Sequence, residues 1–241
     1  MTLQESSGES GLFVTAARYL LRGAGVCSLA TVEAGSGSPY ASMITAATET
    51  DGTPLFLISR LALHTRNLEA DNRGSILFMA GGDAADPLSL GRVSAMGRAE
   101  KTDSPLARTR FLARHPEAAG YAGFADFALW RLLVEKAHYV GGFGKIVTLA
   151  GDQVIRRGAE IAAWEAEITG SLEEINARHG TLLAKLGGDG AAWRLAACDL
   201  EGGELLSEGR ALRLVFPEPL QTVYQILDSL QRLAENGATS R

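Results

Sequence analysis

Hydroxyl, imidazole and guanidinium side chains collect in one short segment of the chain. An apolar run at 55–58 leads into a polar turn and a short helical segment, which ends near Asp71 and Asn72 before a second apolar run at 75–80. Donors, positive charge and the helix dipole would act together there on a phosphate dianion. The same spacing is also compatible with a solvated surface loop. The polar residues concerned are Ser59, Arg60, His64, Thr65, Arg66 and Asn67.

Three stretches of sequence occur in an order that is typical of a known family. They are PYASMITAAT at 39–48, ISRLALHTRN at 58–67 and HYVGGFGK at 138–145. In this order they resemble the FMN-binding split barrels of the pyridoxamine phosphate oxidase class, and most closely the branch linked to haem utilisation. The likeness continues into the C-terminal region. It implies a mostly β protein with flanking helices, a split β-barrel followed by a small α+β domain, and a homodimer whose site lies at the interface.

The resemblance also implies which residues hold FMN. In the family the flavin ring runs along a strand like the one at 40–48, and the phosphate lies in the following turn. The cofactor-binding residues implied are Ser42, Met43 and Ile44 for the ring and ribityl chain, and Ser59, Arg60, His64, Thr65, Arg66 and Asn67 for the phosphate. From the alternating pattern alone, Met43 and Ile44 are equally compatible with ordinary core positions.

The chain departs from the oxidase pattern in two places. His64 stands where those oxidases carry a basic pair, so we expect weaker and pH-dependent retention of FMN, because a neutral imidazole has no charge. The C-terminal pattern that grips pyridoxal phosphate is not recognisable, since Trp193 and Arg194 stand in a different context. Oxidation of pyridoxamine phosphate is therefore not the expected function.

Haem is the second candidate ligand, because its iron needs an axial side chain beside an apolar slot. The histidines are His64, His115, His138 and His179. His138, on a predicted strand next to a glycine-rich bend, is the preferred ligand. We expect His115 to end a helix in contact with solvent and His179 to have a structural role. Arg92 and Arg98, on another strand, are candidates to face the flavin of a neighbouring subunit or to be exposed.

Composition narrows the class of protein. The chain has 241 residues, 46% of them hydrophobic and 21% charged, with a formal net charge of −5. These values suit a globular fold and argue against a nucleic-acid-binding surface. Cys27 and Cys198 stand apart in apolar surroundings, which indicates buried thiols rather than a disulfide or metal site. The polar N-terminus and the lack of a run of ~20 apolar residues predict a cytoplasmic protein without membrane contact.

Turn signals and periodicity outline the barrel domain, which we place at 1–155. A first helix is predicted at 11–22 with Ser10 as its N-cap, and a second at 104–115 with Ser104 as its cap. Breaks are expected at Gly81 to Asp83 and at Gly141 to Gly144. The predicted strands, which short turns make antiparallel, lie at 26–32, 40–48, 55–58, 75–80, 89–100, 127–140 and 146–149.

A small α+β domain is placed at 168–241. Ser171 and Glu174 form a capping-box pattern, which predicts a helix from there to Gly187. Strands are predicted at 193–200 and 211–216, with turn-rich sequence around Glu201, Gly202 and Gly203 between them. A last helix is predicted at 219–235.

Three functions are consistent with these observations. The first is an FMN-binding oxidoreductase with an open substrate, in which the flavin carries the redox chemistry. The alternative is a haem-binding or haem-degrading protein of haem utilisation. The third is a non-catalytic regulatory protein, because a similar barrel with a C-terminal domain occurs in the chloroplast protein that binds glutamyl-tRNA reductase.

Overall fold

The computed structural model describes residues 3–23, 25–81, 85–142 and 145–237, and side chains from residue 11 onward. The chain divides into two compact units, Met1–Arg156 and Arg157–Arg241. Gly82, Asp83 and Gly144, which belong to predicted breaks, lie outside the described residues.

The first unit is built around an antiparallel sheet in the strand order β3-β2-β1-β4-β5-β6-β7. A further pairing of β3 with β6 closes the first six strands into a barrel, and β7 extends β6 beyond it. The predicted split-barrel architecture is confirmed. The strands are β1 (Val26–Val32), β2 (Pro39–Thr48), β3 (Pro54–Ser59), β4 (Arg73–Met79), β5 (Arg92–Lys101), β6 (Phe127–Val140) and β7 (Ile146–Ala150).

Alternation along the strands separates the barrel interior from its outer face. On β1, Cys27 and Leu29 are buried, whereas Val26 and Ser28 are exposed. The interior is filled by large apolar side chains that include Phe56 and Phe78. Helices cover the ends and one side of the barrel, and they are α1 (Leu3–Gly23), α2 (Leu63–Ala70), α3 (Pro105–Arg114) and α4 (Gly151–Val154).

The first helix begins earlier than its sequence suggested. It starts at Leu3, so the prediction of Ser10 as the N-cap is wrong. A residue caps the start of a helix only where its own backbone is non-helical, whereas Ser10 lies within helical backbone. Its buried face is formed by Ala17, Leu20 and Leu21, whereas Leu12 is 70% exposed.

Helix α3 covers the outer side of β3 and ends at a buried histidine. Its N-cap is Ser104, as predicted, and the Ser104 hydroxyl accepts from the Ala107 amide at 3.2 Å. The expectation of a solvated His115 is wrong, because its side chain is buried and its Nε2 lies 2.8 Å from the Ala46 carbonyl oxygen. Burial lowers the pKa of His115, so its ring is neutral at pH 7. The helix is thereby joined to the barrel strand that carries Ala46.

The second unit packs three helices on a small antiparallel sheet. Its core includes Trp164, Leu183, Leu205 and Ile226. The sheet order is β10-β9-β8. The elements are α5 (Ala159–Arg178), α6 (Gly180–Gly187), β8 (Arg194–Asp199), β9 (Gly202–Ser207), β10 (Arg210–Val215) and α7 (Ile226–Glu235).

The structure of this unit differs from three of the predictions. The capping-box pattern at Ser171 lies inside α5, where the preceding turns already satisfy the local amides and the Ser171 hydroxyl donates to the Glu167 carbonyl. The expected turn around Glu201, Gly202 and Gly203 lies at Leu200 and Glu201, whereas Gly202 and Gly203 begin the central strand β9, which was not predicted. A Cβ on Gly202 would overlap the Leu214 carbonyl of β10, so glycine here permits close strand approach rather than a turn. The last helix also starts later than predicted, at Ile226.

Asn176 connects helix α5 to the edge strand β8. Its amide donates to the Leu195 carbonyl at 3.0 Å, and its oxygen accepts from the Leu195 amide at 2.8 Å. Because β8 is an edge strand of the described sheet, Asn176 supplies partners to the Leu195 backbone beside the register shift that follows this residue.

We expect Asn176→Ala to lower the free energy of unfolding by about 2 kcal/mol, since two backbone groups of a buried residue lose their partners. Urea titration followed by circular dichroism measures the change. Arg178→Ala on the same helix is the matched control, because its ion pair with Glu174 is exposed and should contribute little. Equal stability of the two variants would contradict the assigned role of Asn176.

Candidate ligand-binding groove

An open, mostly apolar groove of about 370 Å³ lies on the outer side of the barrel. Strands β1, β2 and β3 form its floor. The start of α2 and the segment before β6 form its sides. We call this the outer groove, and its lining residues are Val26, Met43, Ile44, Thr45, Leu57, Ile58, Ser59, Ala62, His64, Tyr121 and Phe127.

His64 is the imidazole of the outer groove. Its Nδ1 lies 3.0 Å from the Ser42 hydroxyl, and its Nε2 is buried without a hydrogen-bond partner. Burial lowers the pKa of His64, so the ring is neutral at pH 7. In the tautomer whose Nδ1–H donates to Ser42, Nε2 carries a lone pair that no protein donor uses, which is the form of imidazole that binds a metal ion. The ring is therefore oriented by β2 and carries one unused nitrogen.

Three of the predicted phosphate ligands already have hydrogen-bond partners within the fold. The Ser59 hydroxyl donates to Oδ2 of Asp126 at 2.6 Å and accepts from the Leu61 amide at 3.1 Å. The Thr65 hydroxyl donates to the Ser59 carbonyl at 2.6 Å. Asn67 is fully buried, and its amide donates to the Thr31 hydroxyl at 3.0 Å. These contacts hold the turn and helix α2 against the barrel.

The remaining predicted residues differ in their exposure. Arg60 and Arg66 are exposed, and neither guanidinium forms a hydrogen bond or ion pair with another described residue. Met43 is 77% exposed on the outer face, whereas the neighbouring Ile44 is 5% exposed and belongs to the barrel core. Helix α2 has no side-chain cap, since Ala62 occupies its N-cap position.

His138 lies outside the groove lining. It stands between the buried residues Ala137 and Tyr139, so its side chain is on the outer face of β6. There its Nδ1 lies 2.9 Å from the Thr148 hydroxyl. The structure does not bring His138 together with the polar turn, and His179 belongs to the second unit, between α5 and α6.

The two candidate arginines of β5 have partners of their own. Arg92 donates to the Leu88 carbonyl at 2.9 Å. Arg98 pairs with Glu135 at 3.2 Å and donates to the Asn72 side chain at 3.0 Å.

Sequence reasoning missed one side of the groove. Tyr121 and Phe127 form an aromatic wall, with ring centroids 4.9 Å apart. Phe127 is placed there because it pairs with Ser59 across β3 and β6. Asp126 was also missed, although it precedes that strand and binds the Ser59 hydroxyl. The aromatic spacing of YAGFADF was the available signal, but only strand pairing connects it to the polar turn.

Other site types find no support in the described part of the chain. It contains no group of three His, Cys, Asp or Glu residues that could hold a metal ion. Cys27 and Cys198 are buried free thiols, and burial raises the pKa of Cys27 to about 12, which makes it unreactive. No helix within the described ranges has both the length and the apolar character needed to span a bilayer.

A closed six-stranded barrel with an outer groove beside a short helix defines a split-barrel protein. The profile of the CREG β-barrel family matches residues 13–154. The chain therefore belongs to the CREG β-barrel family.

Three relatives extend this assignment. The protein Atu2129 of Agrobacterium tumefaciens, whose function is unknown, has a crystal structure that matches with a TM-score of 0.79 and 30% identity, over 91% of this chain and 94% of that one. A haem-binding protein of Mycobacterium smegmatis matches with a TM-score of 0.56 and 27% identity, over 94% and 98%. The non-canonical haem oxygenase HOZ of Arabidopsis thaliana chloroplasts is 34% identical over 109 residues. That match covers 44% of this chain and 33% of the plant protein's length.

Proposed function

We propose that the protein binds haem in the outer groove, as part of haem utilisation, with His64 as the iron ligand. The observation that carries the proposal is the neutral His64 ring, whose buried Nε2 has no partner beside an apolar lining. The relatives from Mycobacterium smegmatis and Arabidopsis thaliana support it, because one is a haem-binding protein and the other a haem oxygenase.

The residues of the groove fit this group chemically. A haem iron takes a neutral imidazole, and the flat macrocycle needs apolar cover. His64 would hold the iron, Ser42 would fix the tautomer and orientation of the ring, and Tyr121 and Phe127 would cover the macrocycle. Bound haem would supply iron for oxygen or electron chemistry. His138 is the less suitable ligand, because hydroxyl and charged side chains surround it on the outer strands.

Haem degradation is a second candidate, favoured by the likeness to the plant haem oxygenase. It requires that the haem complex lose its absorbance under air with a reductant present, and that carbon monoxide or iron be released. A haem complex that stays unchanged under these conditions would limit the function to binding.

The FMN-dependent oxidoreductase is the competing hypothesis. It is favoured by the uncapped start of α2, where amide groups are open to an anion next to the groove. It is weakened by the hydrogen bonds that already engage Ser59, Thr65 and Asn67. A cytoplasmic location and a regulatory role without a cofactor remain predictions from the sequence.

An absorbance spectrum of the purified protein tests the proposal directly. We expect a Soret band near ~400 nm after addition of haem, saturating at one haem per chain. Addition of FMN should leave no flavin band near ~450 nm after gel filtration. A stable flavin complex without haem uptake would overturn the proposal in favour of the oxidoreductase. Failure to retain either ligand would leave the regulatory function.

We also propose that the chain forms a homodimer through the outer face of the barrel. Ser28, Ala30 and Ala41 are exposed there, and short side chains allow two sheets to approach closely. Cross-strand neighbours on this face form two rows, Met43, Ser28, Leu77 and Ser94 in one, and Ala41, Ala30, Ser75 and Met96 in the other. This apolar face is continuous with the outer groove through Met43, so a partner subunit would cover a ligand bound there.

Light scattering after gel filtration tests the dimer. We expect a dimer for the wild-type chain and a monomer for Ala30→Arg, because a charged side chain at the centre of an apolar interface loses its hydration. Ala162→Arg, on the exposed side of α5, is the matched control and should remain dimeric. A monomeric wild-type chain, or a dimeric Ala30→Arg variant, would contradict this interface.

A further inference from the structure

We propose that Asp126 is a specificity-determining residue that excludes ligands carrying a phosphate at the Ser59 end of the outer groove. The inference rests on the proposed function only in taking this groove as the binding site. It deepens that function by naming the ligand class, which is a flat, largely apolar molecule without a phosphoryl group at this position.

Asp126 makes two hydrogen bonds to the turn before α2. Its carboxylate accepts from the Ser59 hydroxyl at 2.6 Å, and its carbonyl accepts from the Arg60 amide at 2.7 Å. The segment before β6 is thereby attached to the turn before α2 at two points. The carboxylate sits directly beside Ser59, which lines the groove. These two hydrogen bonds hold the Asp126 side chain in one position beside the groove.

The hydrogen-bond donors of the turn between Ser59 and Ala62 are already used, and the open amides of the groove lie beyond this turn, at the start of α2. The Ser59 hydroxyl donates to the Asp126 carboxylate, and the Arg60 amide donates to the Asp126 carbonyl. The Leu61 amide donates to the Ser59 hydroxyl oxygen, and the Ala62 amide donates to the Ser59 carbonyl. A phosphate at this place would have to displace the carboxylate from Ser59. The phosphate and the Asp126 carboxylate would then stand close together and compete for one hydroxyl. Repulsion between two negative charges strongly disfavours the state in which both groups are ionised.

The neighbouring guanidinium groups do not neutralise the negative charge of Asp126 at short range. The side chains of Arg60 and Arg66 are exposed, and neither guanidinium forms a hydrogen bond or ion pair with the Asp126 carboxylate among the described residues. Solvent screens exposed guanidinium groups, whereas the carboxylate acts at hydrogen-bond distance from the hydroxyl in question. The net preference at the Ser59 end is therefore for an uncharged group.

Riboflavin and FMN form a suitable pair of probes, because they share the ring and differ by the phosphate. Quenching of flavin fluorescence gives the dissociation constant of each with the full chain. We expect the wild-type chain to bind riboflavin at least as tightly as FMN. In Asp126→Asn the ratio of affinities should move at least tenfold towards FMN, because the side chain can still accept from Ser59 but has lost its charge. Asp126→Ser should act in the same direction and guards against a folding defect specific to asparagine.

Asp103→Asn is the matched control, since Asp103 is an exposed carboxylate without a recorded partner. It should leave the ratio unchanged. A wild-type chain that binds FMN more than tenfold tighter than riboflavin would overturn the inference. An unchanged ratio in both Asp126 variants, or a chain and variants that bind neither flavin, would overturn it as well. The haem titration is a separate readout. A chain that discriminates between the flavins but takes up no haem would contradict the proposed haem-binding function and leave the role of Asp126 standing.

Discussion

Replacing His64 by alanine is expected to weaken haem binding by on the order of 100-fold and to shift the Soret band. Hydrogen-bonding partners of a metal ligand alone are worth roughly 10–100-fold in affinity, so loss of the ligand itself must cost at least the upper value. Because the ring has a low pKa from burial, it is neutral and ready to bind at pH 7, and its removal leaves only the apolar lining. Haem titration followed by absorbance measures the change, and free imidazole should restore the Soret band in the variant.

Two further variants make this experiment decisive. Ser42→Ala should weaken haem binding by about tenfold, because the imidazole loses the partner that orients it. His138→Ala should bind haem as the wild-type chain does, since His138 lies on the outer strands away from the groove lining. The opposite pattern, with loss in His138→Ala and none in His64→Ala, would move the site to the outer face of β6.

Replacing Gly97 by alanine is expected to lower the free energy of unfolding by about 3 kcal/mol or more. Overpacking a well-filled site with one extra carbon typically costs roughly 1–3 kcal/mol even when side chains can move aside. At Gly97 the added Cβ would overlap the Leu133 carbonyl, which is backbone and cannot change rotamer. The register of β5 and β6 shifts at this point, with Gly97 opposite Val134 and Met96 opposite Lys136. The two strands would have to separate where the barrel is continuous.

Urea unfolding monitored by circular dichroism measures this effect. Gly123→Ala is the matched control, because nothing lies within 4 Å of a Cβ at that position. It should change stability very little. If Gly97→Ala were as stable as the control, the close approach of β5 and β6 at this register shift would be disproved.

The strands of the barrel could be predicted from the sequence because their signals are local. Alternation of apolar residues and short polar turns indicated β1, β2 and β6, and the bounds of β6 agree with the predicted range 127–140. Where the local signal was ambiguous, tertiary contacts decided. Gly202 belongs to a strand because the backbone of β10 is close, and Ser171 lies inside a helix because the preceding residues are helical too.

The candidate site was only partly predictable. Its polar turn was visible in the sequence, since hydroxyl, imidazole and guanidinium side chains collect between Ser59 and Asn67. Their individual roles were not visible, because a hydroxyl next to a helix looks the same whether it binds a ligand or a carboxylate 67 residues away.

The sequence by itself determined the split-barrel fold class, the positions of most barrel strands along the chain and the place of the polar turn, because these depend on local periodicity, turn chemistry and motif order. Only the tertiary structure decided which imidazole meets the apolar groove, and that Asp126 and Phe127 form its far side. The pairing of β3 with β6 brings these residues together across more than sixty positions. Contacts of that kind arise from barrel closure, which no local pattern in the chain encodes.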